Sequence, residues 1–373
     1  MRVLFSAPPS TGHLLPALPT LQALRAAGHD VLVAAYGADP QRYLGLGLSV
    51  VDVSDGTTLW EMYERHAPGR RHGNPGDTPE EIYRTPAIAN AALCRRTVDP
   101  LLDLVRQWRA DILLYDPFQG ALPLISAVTG IPAVEHQFGP LSGRVMSRLL
   151  AGHLADLYRR HDVAGPPAAL SVEIVPPSLR APEPHALQTR YVSPHGSAVL
   201  PRELAAPSSR RRVLLSFGTA IRPDRRDARF AALLPVLAEV DAEFLLPAAD
   251  TAAVGAVPDN VRPLPWAPLA ELLRHCAGII HHGGAGTLMS AVAAAVPQLI
   301  VPNGGDQFHN ARVAVERGFA LSVDEVEKVD AALIDRLLGD ERLLAGALTL
   351  QGENAAQPPP AALVERLERV ARR

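Results

Sequence analysis

Lysine is almost absent from this 373-residue chain, and this shortage excludes one common class of nucleotide-binding site. Lys328 is the only lysine, so the other 35 of the 36 basic residues are arginine. A P-loop needs a lysine directly after a glycine, whereas Lys328 follows Glu327, which excludes a P-loop. The chain also has only two cysteines, Cys94 and Cys276, which form no CxxC pair and provide no disulfide framework.

Charge and hydropathy exclude further classes of protein. The formal net charge is −3, which argues against a broad basic surface for nucleic acid or an anionic membrane. No run of 18 apolar residues occurs, so no membrane span is expected, and the apolar run near the first residue is too short for a signal peptide. We therefore predict a cytoplasmic protein that binds no nucleic acid. No pattern indicates an oligomeric state.

The length predicts two domains, because single hydrophobic cores stop growing near roughly 250–300 residues. Residues 2–6 and 212–216 each read as a buried strand that runs into a loop of small residues. Continuous apolar strands are typical of a parallel sheet that is covered on both faces. Further strands are predicted at residues 31–34, 111–116, 130–134, 243–246, 278–281 and 298–301, with helices at 14–27 and 287–295. The fold class is therefore α/β, with two Rossmann-like halves and a ligand crevice at the carboxyl ends of their strands.

Proline density sets the predicted domain boundaries. Nine prolines between residues 163 and 207 predict a connecting region rather than helix or central strand. We accordingly predict domains at 1–205 and 206–357, followed by a short helix at 358–373 with one apolar face. Residues 54–86 mix glycine, proline and charge, which predicts a long irregular excursion.

The densest chemical signal follows the predicted strand at 278–281. The turn after this strand reads His282-Gly283-Gly284-Ala285-Gly286-Thr287. Glycines let backbone N–H groups approach a ligand, and the start of the following helix is electropositive, so this turn suits a diphosphate. The imidazole of His282 can donate to a phosphate oxygen. A protein without a P-loop lysine can bind a diphosphate with backbone amides, the start of a helix and a histidine, and this turn contains all three.

Two further segments flank that turn. Trp266 lies upstream and offers a flat ring that can stack on a base or pack in a core. Asp306 and Gln307 follow the strand at 298–301, and a carboxylate beside a carboxamide can hold adjacent sugar hydroxyls. No Asp-x-Asp sequence occurs, and the histidines lack the carboxylate or cysteine spacing of a metal site, so we expect no metal and no cofactor.

Together these segments resemble the donor-binding signature of family 1 glycosyltransferases, most closely those of bacterial natural-product pathways that act on macrolides, aromatic polyketides or enediynes. The segments are Trp266-Ala267-Pro268, residues 281–287 and residues 306–311. Two others resemble the family's N-terminal Gly-His motif and its first C-domain loop, namely Gly12-His13-Leu14-Leu15-Pro16 and Ser216-Phe217-Gly218-Thr219. The resemblance covers residues 2 to 320. It implies the GT-B fold of two facing Rossmann-like domains, with the C-terminal helix packed on the first.

The resemblance also implies a reaction and a role for each matching residue. A sugar, here a deoxysugar, would pass from a dTDP- or UDP-sugar to a hydroxyl of a lipophilic, polyketide-type acceptor, with inversion. His13 would be the general base, and Asp116 would orient it. The implied donor-binding residues are Gly12, Gly218, Thr219, Trp266, His282, Gly283, Gly284, Ala285, Gly286, Thr287, Asp306 and Gln307. Leu269 stands where plant relatives carry glutamine, so the choice between uracil and thymine stays open.

Acceptor contacts are harder to assign from sequence. Trp60, Tyr63, His136 and Phe138 are candidates because loops of the first half should line the crevice, although packing in the core suits each of them equally. Two other functions stay open as well: a nucleotide-sugar epimerase that needs no acceptor, and a catalytically silent accessory protein that binds nucleotide sugar.

Overall fold

The structure is a computed structural model that describes residues 1–37, 45–69, 73–168, 170–194, 198–204, 208–218, 223–247, 255–265 and 267–372. The chain forms two compact units. Unit 1 comprises Met1–Arg190 together with Gln357–Arg373, and unit 2 comprises Tyr191–Ala356.

The described strands and helices alternate along most of the chain. The strands are β1 Arg2–Ser6, β2 Asp30–Ala35, β3 Ser49–Asp52, β4 Ile112–Tyr115, β5 Ala133–His136, β6 Leu170–Glu173, β7 Leu187–Gln188, β8 Arg212–Ser216, β9 Glu243–Pro247, β10 Val261–Leu264, β11 Gly278–His281, β12 Gln298–Ile300 and β13 Ala320–Ser322. The helices are α1 Thr11–Leu14, α2 Leu18–Ala26, α3 Leu59–His66, α4 Pro79–Trp108, α5 Ala121–Thr129, α6 Arg144–His153, α7 Ala155–Arg160, α8 Pro223–Ala238, α9 Leu269–Leu273, α10 Ala285–Ala293, α11 Gln307–Glu316, α12 Ala331–Gly339, α13 Glu341–Ala356 and α14 Leu363–Ala371. Short 3-10 turns lie at Leu15–Ala17, Arg202–Leu204, Val326–Lys328 and Pro360–Ala362.

Unit 1 is built on a parallel sheet. Within the described ranges this sheet has seven strands in the order β3-β2-β1-β4-β5-β6-β7. Its central strands are buried along nearly their whole length, as their continuous apolar sequences predict. The strand order reverses between β1 and β4, which pair directly, with Ser6 opposite Tyr115. In a doubly wound sheet the crevice for a ligand opens at such a switch point, beyond the carboxyl ends of the strands.

Unit 2 repeats this arrangement. Over its described residues the sheet has six parallel strands in the order β10-β9-β8-β11-β12-β13. Its switch point lies between β8 and β11, where Ser216 is opposite His281. A core of side chains such as Phe217, Phe230 and Phe244 packs beneath the helices. The two parallel sheets with helices confirm the predicted α/β class.

One prediction about an irregular segment is wrong, and a second is wrong in part. Residues 54–86 hold a complete helix, α3, and the first turns of the 30-residue helix α4. Each begins with a capping box, in which a threonine and a glutamate three residues later satisfy each other's backbone N–H groups: Thr58 with Glu61, and Thr78 with Glu81. The proline-rich region at 163–207 contains the change from unit 1 to unit 2 and no α-helix among its described residues, but it also contains β6 and β7, which extend the first sheet at one edge. They fit between the prolines because both strands are short.

Residues 357–372 pack within unit 1. The side chains of Leu363 and Leu367 on α14 are fully buried. The imidazole Nε2 of His29, which follows α2, lies 3.0 Å from the Glu368 carboxylate. None of the described helices is long and apolar enough to cross a membrane.

Candidate active site

In unit 1, the loops after β1 and β4 bring a histidine and an aspartate together. His13 lies in α1, the first helix after β1, and Asp116 is the first residue after β4. His13 Nδ1 is 2.9 Å from Asp116 Oδ2, although 103 residues separate the two in sequence. Since a carboxylate accepts hydrogen bonds, Nδ1 carries the proton, and the neutral imidazole has its basic lone pair on Nε2.

Asp116 is buried, and hydrogen bonds hold its carboxylate in one orientation. It is 1% exposed, and its other oxygen, Oδ1, accepts a 2.8 Å hydrogen bond from the backbone N–H of Phe118. Its own backbone N–H donates to the carbonyl of Ser6 at the end of β1. The carboxylate is therefore fixed relative to both switch-point strands, and it fixes the orientation of the His13 ring in turn.

Aromatic rings enclose the His13 imidazole. Its centroid lies 4.5 Å from the ring of Phe118 and 4.7 Å from that of Phe138. Tyr83 packs edge-on against Phe118 at 5.6 Å. The His13 side chain nevertheless keeps 19% of its surface exposed. The aromatic rings therefore surround a partly exposed histidine with apolar surface. Such surroundings suit an apolar ligand that carries a hydroxyl group.

In unit 2, the corresponding position after β11 is occupied by His282. Its Nδ1 faces the carbonyl oxygen of Ser216 at 3.4 Å. Two glycines border its ring: a Cβ added at Gly218 would lie 2.6 Å from its Cε1, and one added at Gly284 would lie 2.4 Å from its Nε2. Burial, together with the charge of Arg229, lowers the pKa of His282 to about 4, so the unliganded ring is neutral at pH 7.

The glycine turn, defined here as residues 282–287, leads from β11 directly into α10. Gly283 has φ +85°, and a Cβ there would lie 2.8 Å from Cγ2 of Ile300, so only glycine fits. Gly284 is the N-cap of α10 and makes no side-chain cap. Ala285 is buried, whereas Gly286 and Thr287 are partly exposed. The turn therefore presents unscreened helix-start amides, the arrangement that binds phosphate groups.

The aspartate loop, defined here as residues 301–307, follows the adjacent strand β12. The Asp306 carboxylate accepts a 2.9 Å hydrogen bond from Asn310 Nδ2, and the same amide donates to the Gly283 carbonyl. Gln307 accepts from the backbone N–H of Asn303 at 2.8 Å. Asn310 thus joins the aspartate loop to the glycine turn, and it holds Asp306 and Gln307 at the same end of the sheet as His282.

His281, the neighbour of His282, has a structural role. Its Nε2 donates to Gln298 Oε1 at 2.8 Å, and its Nδ1 accepts from the Gly283 backbone N–H at 3.1 Å. Burial lowers its pKa to about 3, so it remains neutral. Among the described side chains, no group of three or more His, Cys, Asp or Glu residues is placed to hold a metal ion.

Comparison with known proteins identifies the family. Residues 22–218 match the N-terminal domain of the erythromycin biosynthesis protein CIII-like family, and residues 231–370 match its C-terminal domain. The elloramycin glycosyltransferase ElmGT of Streptomyces olivaceus is 36% identical over 380 residues, which covers 98% of this chain and 97% of that protein. This chain belongs to the CIII-like glycosyltransferases of antibiotic biosynthesis. It is a nucleotide-sugar-dependent glycosyltransferase, as the resemblance implied.

Solved structures of similar glycosyltransferases confirm the GT-B fold. The glycosyltransferase SnogD of Streptomyces nogalater is 34% identical and superimposes with a TM-score of 0.86, covering 99% of this chain and 100% of SnogD. The glycosyltransferase SsfS6 of Streptomyces sp. SF2575, in complex with thymidine diphosphate, is 27% identical, with a TM-score of 0.86 and 99% coverage of each chain.

The predicted donor residues of this CIII-like glycosyltransferase fall into three groups. Trp266 and Thr219 lie outside the described residues. Gly218, the glycine turn, Asp306 and Gln307 all lie in unit 2, on the loops after β8, β11 and β12. Gly12 lies in unit 1, exposed beside His13. The assignment of these residues to the donor remains a prediction.

The four predicted acceptor residues have unlike surroundings. Phe138 contacts the His13 ring, as described above. Trp60 on α3 is 60% exposed, and its indole N–H donates to Glu64. Tyr63 is partly buried, and burial raises its hydroxyl pKa.

His136 does not fit a role in acceptor binding. It is buried, with Nδ1 donating to the Gln137 carbonyl and Nε2 bonded to the Thr20 hydroxyl. Burial lowers its pKa to about 4. Because both ring nitrogens are satisfied within the core, this histidine has neither surface nor hydrogen-bonding capacity to offer a ligand.

Sequence reasoning missed three residues that shape these sites. Phe118 could have been found, because it stands two positions after the predicted catalytic aspartate. Tyr83 could not, because its contact depends on where the long helix α4 crosses the unit. Asn310 lies in the segment that carried the family resemblance, but its bonds to the aspartate loop and the glycine turn depend on the packing of α11 against the sheet.

Proposed function

We propose that this glycosyltransferase moves a deoxysugar from a dTDP-sugar to a hydroxyl group of a polyketide-type natural product, with inversion at the anomeric carbon. The observation that carries the proposal is the 2.9 Å pair of His13 and Asp116 at the switch point of unit 1. A histidine whose Nδ1 is held by a buried carboxylate is arranged to accept a proton at Nε2.

The reaction begins with proton transfer from the acceptor to the lone pair of His13 Nε2. His13 Nε2 takes the proton of the acceptor hydroxyl as the hydroxyl oxygen attacks the anomeric carbon. The imidazolium that forms is stabilised by the Asp116 carboxylate, which stays ionised. The apolar surroundings from Phe118 and Phe138 would hold the acceptor skeleton and keep water away from the base.

The second half concerns the leaving group. As the new C–O bond forms, the bond from the anomeric carbon to the diphosphate oxygen breaks, and negative charge builds up on the diphosphate. The amides of the glycine turn and the start of α10 would stabilise this charge, and His282 would donate to a phosphate oxygen in its protonated form. Asp306 and Gln307 would bind hydroxyls of the departing sugar.

Thymidine is the proposed base because the solved relative SsfS6 carries thymidine diphosphate. The related ElmGT is named for elloramycin, which supports an acceptor that is a small natural product rather than a protein or nucleic acid. The proposal includes no metal ion and no cofactor, because amides and a helix start can carry the diphosphate charge.

The test is a set of incubations of the purified protein with dTDP- and UDP-sugars and a panel of polyketide aglycones, followed by mass spectrometry. We expect a glycosylated product and free dTDP in equal amounts. An altered sugar nucleotide without acceptor would indicate an epimerase. Tight binding without turnover on any acceptor would indicate an accessory protein.

A metal chelator separates this mechanism from a metal-assisted one. We expect the transfer rate in EDTA to equal the rate in added Mg²⁺, since no step calls for a metal. Loss of transfer in EDTA that added Mg²⁺ restores would contradict this part of the proposal.

A further inference from the structure

Arg229 occupies a position in unit 2 that the proposed mechanism does not use. It lies on α8, one residue before the fully buried Phe230, and its own side chain is half-buried. Its guanidinium donates from Nη1 to the Val301 carbonyl at 2.8 Å and from Nη2 to the Pro302 carbonyl at 3.0 Å. These carbonyls begin the aspartate loop, so one planar fork anchors that loop to α8.

The same guanidinium contacts a second loop of the site. Its central carbon lies 5.5 Å from the centroid of the Phe217 ring, within the range of a cation–π interaction. Phe217 directly precedes Gly218, the residue that borders the His282 ring. Arg229 therefore contacts the loops after β8 and β12, and these lie on either side of the glycine turn that follows β11.

The guanidinium of Arg229 bonds to backbone carbonyls, and no carboxylate of the described residues lies within ion-pair distance of it. Burial lowers the pKa of Arg229, while the negative charge of Glu327 raises it. Its positive charge reaches His282 and lowers the pKa of that imidazole. A half-buried cation whose hydrogen-bond partners are neutral carbonyls contributes positive potential beside the glycine turn.

We propose that Arg229 is a positioning residue of the donor site: its fork holds the aspartate loop in place for the sugar, and its charge strengthens binding of the diphosphate. The inference rests on the proposed function, because it takes the glycine turn and the aspartate loop as the donor site. Arg229 acts through these loops and through space, and it forms no bond with a reacting atom.

The two contributions can be separated by substitution. Arg229→Lys keeps the positive charge, but a lysine ammonium cannot form the planar fork to two carbonyls. Arg229→Gln removes the charge while keeping an amide donor. Arg211→Gln is the matched control: Arg211 also lies in unit 2 and donates to a main-chain carbonyl, that of Leu338, but on an exposed surface away from the turn.

The experiment measures binding of dTDP and of dTDP-glucose to the full chain by calorimetry. For Arg229→Lys we expect the dTDP dissociation constant to stay within about threefold of wild type, while that of dTDP-glucose rises about tenfold, because only the loop that would hold the sugar is loosened. For Arg229→Gln we expect both constants to rise about tenfold or more, and the salt dependence of dTDP binding to weaken. The control should bind both ligands as wild type does.

Three other results of the binding experiment would contradict either the role of Arg229 or the proposed function itself. If wild type binds dTDP and both Arg229 variants behave like the Arg211 control, the positioning role is wrong and the proposed function stands. If both ligands weaken equally in Arg229→Lys, in step with a loss of melting temperature, Arg229 only supports the fold and the inference is wrong. If Arg229→Gln does not fold, the difference between the two ligands in Arg229→Lys decides the question. If wild type binds neither ligand, the proposed function itself fails, and this inference fails with it.

Discussion

His13 and Asp116 are 103 residues apart and are joined by one hydrogen bond of 2.9 Å. Because β1 and β4 pair directly at the switch point, Asp116 after β4 and the helix α1 after β1, which carries His13, lie at the same end of the sheet. Asp116 has its second oxygen bonded to a backbone N–H, which keeps the carboxylate from turning away. The strand order of unit 1 therefore brings the two residues to the same end of the sheet, and the hydrogen bonds of Asp116 fix the orientation of the proposed base.

Replacing the proposed base tests this geometry. We expect His13→Ala to lower kcat by about 10²–10⁴-fold, the usual contribution of a general base, while the dissociation constant of dTDP stays unchanged. Asp116→Asn should also lower kcat, because the asparagine does not stabilise the imidazolium. Steady-state kinetics and calorimetry give the two numbers.

His153→Ala is the matched control, because His153 ends α6 and its side chain is exposed. It should keep the kcat of wild type. A His13→Ala enzyme that turns over at the wild-type rate would remove His13 as the base.

At the scale of single residues, the sequence predicts the site residues that follow the end of a strand. It does not predict the site residues whose position depends on packing between distant elements. His13, Asp116 and His282 each follow a buried apolar strand, which is a local signal. Phe118 and Tyr83 depend on contacts between distant elements, which no local pattern reports. His136 is the last residue of β5, but its side chain is buried in the core. Side chains along a strand alternate between the two faces of the sheet, so a shift of one position along β5 would place the side chain on the other face.

At the scale of elements, the glycine turn works because two glycines leave room for an imidazole. His282 lies so close to Gly218 and Gly284 that neither position can gain a Cβ without moving the ring. Gly218 also has φ +73°, a conformation that side chains disfavour. The turn and the loop after β8 therefore act as one cradle.

Filling that cradle should damage the proposed donor binding. We expect Gly284→Ala to displace His282 and to raise the dTDP dissociation constant at least about tenfold, the cost of losing one charge-assisted hydrogen bond. Gly352→Ala, in the helix α13 of the same unit, meets nothing within 4 Å and should bind dTDP as wild type does. Equal affinity in both variants would show that His282 does not contact the diphosphate.

The helices α3 and α4 show where element prediction fails and why. Glycines, prolines and charges around residues 54–86 suggested an irregular segment, yet Thr58 with Glu61 and Thr78 with Glu81 are sequence signals of helix starts. Pro86 and Pro100 inside α4 also oppose a helix locally. Packing of the long buried face of α4 outweighs them, and that packing is not visible in the sequence.

At the scale of the whole molecule, the two units have the same type of sheet topology. Each is a parallel doubly wound sheet whose order reverses once, and each carries its proposed chemistry on the loops at that reversal. The similar strands at 2–6 and 212–216 made this repetition predictable. The strands β6 and β7 were not predicted, because their proline-rich surroundings hide two very short elements.

Buried neutral histidines should make the stability of the molecule depend on pH. In the folded chain the pKa is lowered to about 4 for His136, about 3 for His281 and about 4 for His282, whereas an unfolded histidine titrates near 6.5. Below pH 6.5 the unfolded state binds protons that the folded state does not, so stability is lost as the pH falls from 6.5 towards 4.

A His136→Gln variant isolates one of these contributions. Between pH 6 and pH 5 we expect the unfolding free energy of wild type to fall by about 1.2 kcal/mol more than that of this variant, because only wild type has the histidine to protonate. Urea unfolding at pH 7, 6 and 5 measures it. A difference that does not change with pH would mean that His136 titrates alike in both states.

The central claim is that His13 activates an acceptor hydroxyl for a single displacement at the anomeric carbon. The most direct measurement is the anomeric configuration of the glycoside, read from the coupling between H1 and H2 by proton NMR and compared with that of the dTDP-sugar consumed. One displacement predicts inversion: an α-linked donor gives a β-linked product. A product with the configuration of the donor would contradict the mechanism.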